Sequence, residues 1–147
     1  MSEDKVKVGT VCMCGCSGCH MSFLDIDEYI IDLVDKVDIE ASHMIVDTKY
    51  EDFPEVDVGI VEGTMTNEEN VEVVEMLREK SDIVIAWGDC ACLGGIHTMR
   101  NFHDMEDVLE NSYVEKADSE SVVPESSVVP ELIDDASAAD QYIDVDL

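Results

Sequence analysis

From Ser81 to Gly88 the chain reads SDIVIAWG, an almost continuous apolar run that stops abruptly at Asp89-Cys90. A short run this apolar is buried on both faces, as the central strands of a parallel sheet are. Two further β-rich runs have the same shape. KVKVGTVC, from Lys5 to Cys12, leads straight into a Gly/Cys cluster at Cys14 to Cys19, and VDVGIV, from Val56 to Val61, ends at Glu62-Gly63. Ile39 to Asp47 is a weaker strand, and Tyr142 to Leu147 (YIDVDL) alternates like a last one.

Between these strands the period changes to that of a helix. From Met21 to Val37, the residues Phe23, Ile26, Ile30, Leu33, Val34 and Val37 recur at three and four, with Asp25, Asp27, Glu28, Asp32 and Asp35 between them. That pattern predicts an amphipathic helix. Thr66 with Glu69 three residues on predicts an N-cap that opens a second helix with Val71, Val74 and Leu77 on one face. Met105 to Leu109 supplies a helical turn, and Ala117 to Val129, which bears Ser, Glu and Pro, reads as loop.

Strands alternating with helices predict βαβ units and right-handed crossovers. The expected fold is therefore α/β: a flavodoxin-like three-layer domain with a parallel sheet in the order 2-1-3-4-5. The 147 residues, 46% of them apolar, suffice for one such domain over 1–147 and leave no room for a second.

In sheets of this kind ligands sit beyond the carboxyl ends of the strands. That edge collects Cys16 and Cys19 after the first strand, Glu62 after the third and Cys90 after the fourth. Cys16-Ser17-Gly18-Cys19 is a C-x-x-C, a spacing that lets two thiolates from one loop bind one centre. By itself it fits an iron-sulfur cluster, half of a zinc site, a thioredoxin-like redox pair or inert structure. Cys90 favours a metal centre, because a dithiol redox pair has no need of a third thiol. Cys12 and Cys92 read as small buried hydrophobes. Glu62 reads either as a solvated strand-end acid or as a group beside the centre, and His20 as a helix cap or as a hydrogen-bond partner of the centre.

Six cysteines, four of them between Cys12 and Cys19, are too crowded for a disulfide framework and point to metal or redox chemistry. With 36 acidic residues against 8 Lys plus Arg, the net charge of -28 excludes nucleic acid and anionic membrane as natural partners. Self-repulsion on that scale is relieved by salt, which predicts a halophilic setting. The opening Met-Ser-Glu-Asp is not a basic leader, and no apolar run approaches the roughly 18 residues of a membrane span, so a cytoplasmic chain without membrane insertion is expected.

Three segments carry a resemblance. Cys16 to Asp25 (CSGCHMSFLD), the turn Glu62-Gly63-Thr64-Met65, and the loop Gly88-Asp89-Cys90-Ala91 with Gly94-Gly95 stand in that order within Lys5 to Ile96. They resemble the C-x-G-C-x-x-S-x-L, E-G-x-hydrophobic and G-x-C-A motifs of the small subunits of nickel-iron hydrogenases and of the related 20-kilodalton subunit of respiratory complex I. The C-x-x-C, where the complex I relative has adjacent cysteines, resembles the hydrogenase branch more. CSGCHMSFLDIDE looks most like the soluble NAD-reducing type, which is favoured here, and CACLGGI like the methyl-viologen-reducing, deazaflavin-non-reducing type of methanogens.

The resemblance implies a proximal 4Fe-4S cluster on Cys16, Cys19 and Cys90. It would pass electrons to or from a nickel-iron centre held wholly by a large partner subunit, so this chain contributes no catalytic residue of its own. Diaphorase or other acceptor subunits are implied downstream, and in some soluble relatives a flavin lies nearby. A quinone oxidoreductase 20-kilodalton-type subunit and a stand-alone zinc or iron-sulfur module are the alternatives. The family's fourth cluster cysteine, in a P-G-C-P-P motif after the last strand, has no counterpart here. The resemblance thus implies a natural chain that continues past Leu147, with Cys14 and Cys92 as the substitutes inside this one.

Overall fold

The computed structural model describes residues 5–115, 122–125 and 129–147. The chain runs through β1 (Val6–Cys12), α1 (Gly18–Leu24), α2 (Tyr29–Val34), β2 (Val37–Ser42), β3 (Val56–Glu62) and β4 (Met65–Asn67). It continues with α3 (Glu68–Glu79), β5 (Ser81–Trp87), α4 (Gly88–Leu93), α5 (Met105–Glu110) and β6 (Leu132–Ser137). Four strands form one parallel sheet in the order β2-β1-β3-β5, which is the expected arrangement for the first four strands. The fold is α/β, with helices against both faces of the sheet.

One face is closed by α3. Its Val74 and Leu77, both fully buried, join Val11, Val61 and Val84 of the central strands in the main core. Gly59 makes that close approach feasible: a Cβ there would lie 2.2 Å from Ser81 Oγ and 3.0 Å from Leu77 Cδ1. The cap of α3 differs from expectation by one residue. Asn67 Oδ1 accepts the Asn70 N–H at 2.8 Å, while Thr66 belongs to β4 and donates its hydroxyl to Asn70 Oδ1. Either side chain satisfies an orphan N–H, and the strand pairing of Met65–Asn67 with β6 decides between them.

The opposite face is covered by α1 and α2, which the sequence periodicity joins into one helix. The chain breaks between them, with Asp27 in the left-handed region at φ 59. Phe23, Ile26, Ile30 and Leu33 are half-buried, whereas Val34 is 43% exposed and Val37 belongs to β2, so the apolar stripe holds only in part. The cover is loose. A cavity of about 140 Å³ remains against the sheet, lined by Val8, Ile60, Phe23 and Leu33 among others. Farther along the same face Ile83 of β5 is 43% exposed.

β2 starts and ends earlier than Ile39 to Asp47 suggests, because Ser42 O accepts from Ile45 and Val46 and turns the chain. The regular strand expected at Tyr142 to Leu147 is absent. That segment nevertheless lies beside β5, through Asp146 N to Val84 O at 2.9 Å and Ala86 N to Leu147 O at 2.9 Å. Its register is held by Asp146, whose carboxylate accepts from Val84 N and from Arg78 Nη1. The sixth strand lies instead at Leu132–Ser137 and pairs antiparallel with β4. Adjacent Asp134-Asp135 in its middle hide it from a search for alternating apolar residues. Of the loop expected at Ala117 to Val129, residues 117–121 and 126–128 lie outside the described residues. Among the described residues no helix is long and apolar enough to cross a membrane.

Candidate metal centre

Four features meet at the carboxyl edge of the sheet: the loop after β1, the Glu62-Gly63-Thr64 turn after β3, the start of α4 after β5, and the turn following α4. The first two are tied by backbone bonds. Met13 N donates to Glu62 O at 2.7 Å, and Cys14 and Thr64 exchange a pair at 3.2 and 2.7 Å. Gly63, at φ 96, fits under this crossing, where a Cβ would lie 2.8 Å from the Met13 carbonyl carbon.

The first turn of α1 carries Cys19 and His20, and its cap comes from across the sheet. Ser17, at φ 59, makes no side-chain cap bond. Glu62 Oε1 accepts from Cys19 N at 3.3 Å and Oε2 from His20 N at 3.0 Å. The His20 ring also meets Glu62 Oε2 through Nδ1, and its Nε2 lies 2.9 Å from Thr10 Oγ1, which donates to Ser42 Oγ at 2.8 Å. His20 and Glu62 are 1% and 2% exposed. Glu62 is therefore no solvated acid, and the His20 ring bonds Glu62 and Thr10 instead of capping the helix. It anchors the carboxylate that does the capping. Desolvation of a lone carboxylate at this depth is costly, so the paired ring is what permits it.

Glycines make the room in which the thiols sit. At Gly88, φ 84, a Cβ would be 2.3 Å from Cys19 Sγ, and at Gly95, φ 56, a Cβ would be 2.7 Å from Cys90 Sγ. The loop bearing Cys90 thus closes directly onto the helix bearing Cys19. Burial pushes the Cys19 thiol up, and Glu62, Cys16, Cys90 and Cys92 push it further. Burial likewise raises Cys12, against a lowering contact with Ser17 and with smaller raising contributions from Glu62, Cys16 and Cys14. An edge that disfavours thiolates by burial and by like charge is one where a bound cation has most to offset.

The remaining cysteines divide. Cys92 is exposed, not buried as expected, and its thiol donates to Ala86 O at 3.3 Å on the side of Cys19. Cys14 lies toward Cys12 and Arg100. All six cysteines are free. A tetrahedral zinc ion with sulfur at about 2.3 Å draws its thiolates to within about 4 Å of one another. Among the described residues, the donor group that lies within 4.8 Å is Cys12, His20 and Glu62, not the three predicted ligands. The ring and carboxylate in that group touch directly, which leaves no gap between them for an ion.

The family pattern described as NADH ubiquinone oxidoreductase, 20 Kd subunit, matches residues 16–147. The chain belongs to this family. Among its relatives, a subunit of the F420-non-reducing hydrogenase of Methanothermobacter thermautotrophicus is 44% identical over 97% of this chain and 47% of its own length. The delta subunit of the NAD-reducing hydrogenase HoxS of Cupriavidus necator is 40% identical over 88% of this chain and 63% of its own. A chain of the H2-reduced NAD+-reducing [NiFe]-hydrogenase superposes with a TM-score of 0.88 at 33% identity, covering 97% of this chain and 79% of that one. The chain spans about half the length of the first of these relatives. The resemblance drawn from the cysteine motifs and the structural likeness therefore lead to the same family.

Two residues of the edge have contacts that the motifs do not reveal. Thr64 is fully buried and bonds Gly94 O, and His97 reaches both Thr64 and Cys90. Only the folded turn after α4 brings His97 back over Cys90. The segment that follows Cys90 carries exposed apolar side chains: Leu93, Ile96, Met99 and Phe102 are 74%, 72%, 61% and 86% exposed.

Proposed function

We propose that this chain is the cluster-carrying, electron-transfer small subunit of a nickel-iron hydrogenase, with a 4Fe-4S cluster on Cys16, Cys19 and Cys90. One observation carries the reading: the Cys19 thiol fills the space beside Gly88 at the mouth of the Cys90 loop, so two loops distant in sequence present thiols to one edge. Among the described residues these three thiols do not close into a group within 4.8 Å, as ligands of one zinc ion would, whereas the thiolates of a 4Fe-4S cluster each meet a different iron. Cys16, which is exposed, is free to swing toward the cluster.

The names of the relatives supply the enzyme: hydrogenase subunits of the F420-non-reducing and NAD-reducing kinds. The cluster, when bound, takes and gives single electrons. The chain's own part is to hold it, with Glu62 fixing the helix that bears Cys19. Cys92, on the side of Cys19, is the better placed of the two spare thiols for a fourth ligand from this chain. The apolar rim of Leu93, Ile96, Met99 and Phe102 faces a large subunit that bears nickel and iron, and acceptor subunits of diaphorase type complete the path. The test is anaerobic purification followed by metal analysis. Iron and sulfide with co-purifying nickel are expected, and zinc alone on a colourless protein would contradict the reading.

A further inference from the structure

Gly94 and Gly95, at φ 84 and 56, fold the turn after α4 back over Cys90. Within this turn His97 Nδ1 lies 3.2 Å from Thr64 Oγ1 and 3.9 Å from Cys90 Sγ. The direction of the first bond follows from the partners of Thr64. Its single hydroxyl hydrogen points to carbonyl oxygens, Gly94 O at 2.7 Å and Cys90 O at 3.4 Å, which only accept. Thr64 Oγ1 can therefore only accept from the ring, so Nδ1 carries a hydrogen and is a donor. The thiol of Cys90 cannot donate to a nitrogen already holding its hydrogen. What remains is an N–H shared between Thr64 Oγ1 and Cys90 Sγ.

We infer that His97 is a positioning residue that donates a hydrogen bond to the Cys90 sulfur and raises the reduction potential of the cluster this sulfur holds; the inference rests on the ligand reading above. A reduced cluster carries one more negative charge than an oxidised one, spread partly onto its thiolate sulfurs. A donor aimed at such a sulfur stabilises the reduced form more, which is how hydrogen bonds to sulfur set cluster potentials. Thr64 fixes the tautomer and the aim of the ring, and it is itself fully buried with both partners in backbone. The bond needs no change of charge on His97.

The experiment compares the anaerobically isolated protein with His97→Phe and His97→Asn, measuring iron per chain, midpoint potential, and magnetic coupling of exchangeable protons and of nitrogen to the reduced cluster. Phe keeps the ring and loses the donor, and Asn restores an N–H at similar reach. With equal iron in all three, His97→Phe is expected at a more negative potential, with His97→Asn closer to the parent. One exchangeable-proton coupling of the parent disappears in His97→Phe. An unchanged potential in His97→Phe, an Asn variant shifted as far as Phe, or a strong nitrogen coupling that marks His97 as a direct ligand would overturn the inference. Should His97→Phe fail to fold or load, the parent's own couplings decide: a coupled exchangeable proton with only weak nitrogen coupling supports it, and neither being present sinks it. Absence of iron from the parent is a different failure, that of the ligand reading itself.

Discussion

Glu62, the last residue of β3, accepts the backbone N–H groups of Cys19 and His20 at 3.3 and 3.0 Å, so the sheet itself caps the helix that carries a proposed ligand. The first four N–H groups of a helix lack partners within it, and a carboxylate placed there is favoured by the helix dipole as well. Because the acid is buried and tied to His20, its loss leaves two backbone N–H groups and the imidazole Nδ1 without their partner.

Glu62→Ala should therefore destabilise the protein by about 3–5 kcal/mol, the range for removing one member of a buried pair. Glu62→Gln, which keeps an acceptor, should cost less. Urea unfolding of both variants against the parent measures it, and an Ala variant within about 1 kcal/mol of the parent would show that the cap is dispensable.

The parallel sheet was legible because Lys5 to Cys12, Val56 to Val61 and Ser81 to Gly88 are β-rich between helix-periodic segments, and burial on two faces leaves a strong trace. The C-x-x-C and Cys90 were legible as well, since their order along the chain follows the order of strand ends. The β4-β6 pair was not: β4 has three residues, and β6 carries two adjacent aspartates on an exposed stretch. Nor was the Glu62–His20–Thr10–Ser42 chain, which joins residues from β1, α1, β2 and β3 with no local signature. His97 lacked a signal for the same reason: its meaning lies in Thr64, 33 residues away.

The end of the described chain gives a pH prediction. The Val84 N–H, and then the hydrogen bond from Arg78, hold the Asp146 carboxyl below the usual carboxylate range. A depressed folded-state pKa stabilises above the unfolded value of about 3.9, and that stability is lost as pH falls through the lower folded value. Asp146→Asn should therefore melt below the parent at pH 7, with the gap closing as pH drops below about 4. A gap that stays constant to pH 3 would mean that the ion pair contributes nothing through its charge.

The net charge of -28 sets a second condition. Salt shortens the reach of carboxylate repulsion, from a Debye length of about 10 Å at 0.1 M to about 3 Å at 1 M. The melting temperature is expected to climb between these concentrations of potassium chloride. A flat or falling curve would remove the halophilic reading and leave the acidic surface as ordinary solvation.

The cluster ligands are tested most directly by iron and acid-labile sulfide per chain in the anaerobically isolated parent, in Cys19→Ala and in Cys12→Ala. Cys19 faces the Cys90 loop across Gly88, whereas Cys12 contacts Ser17 and lies beside the Glu62 carboxylate. The account predicts about four irons per chain in the parent, as a 4Fe-4S centre requires. It predicts a steep loss in Cys19→Ala and near-parent content in Cys12→Ala. Full iron retention in Cys19→Ala, or loss confined to Cys12→Ala, would contradict it.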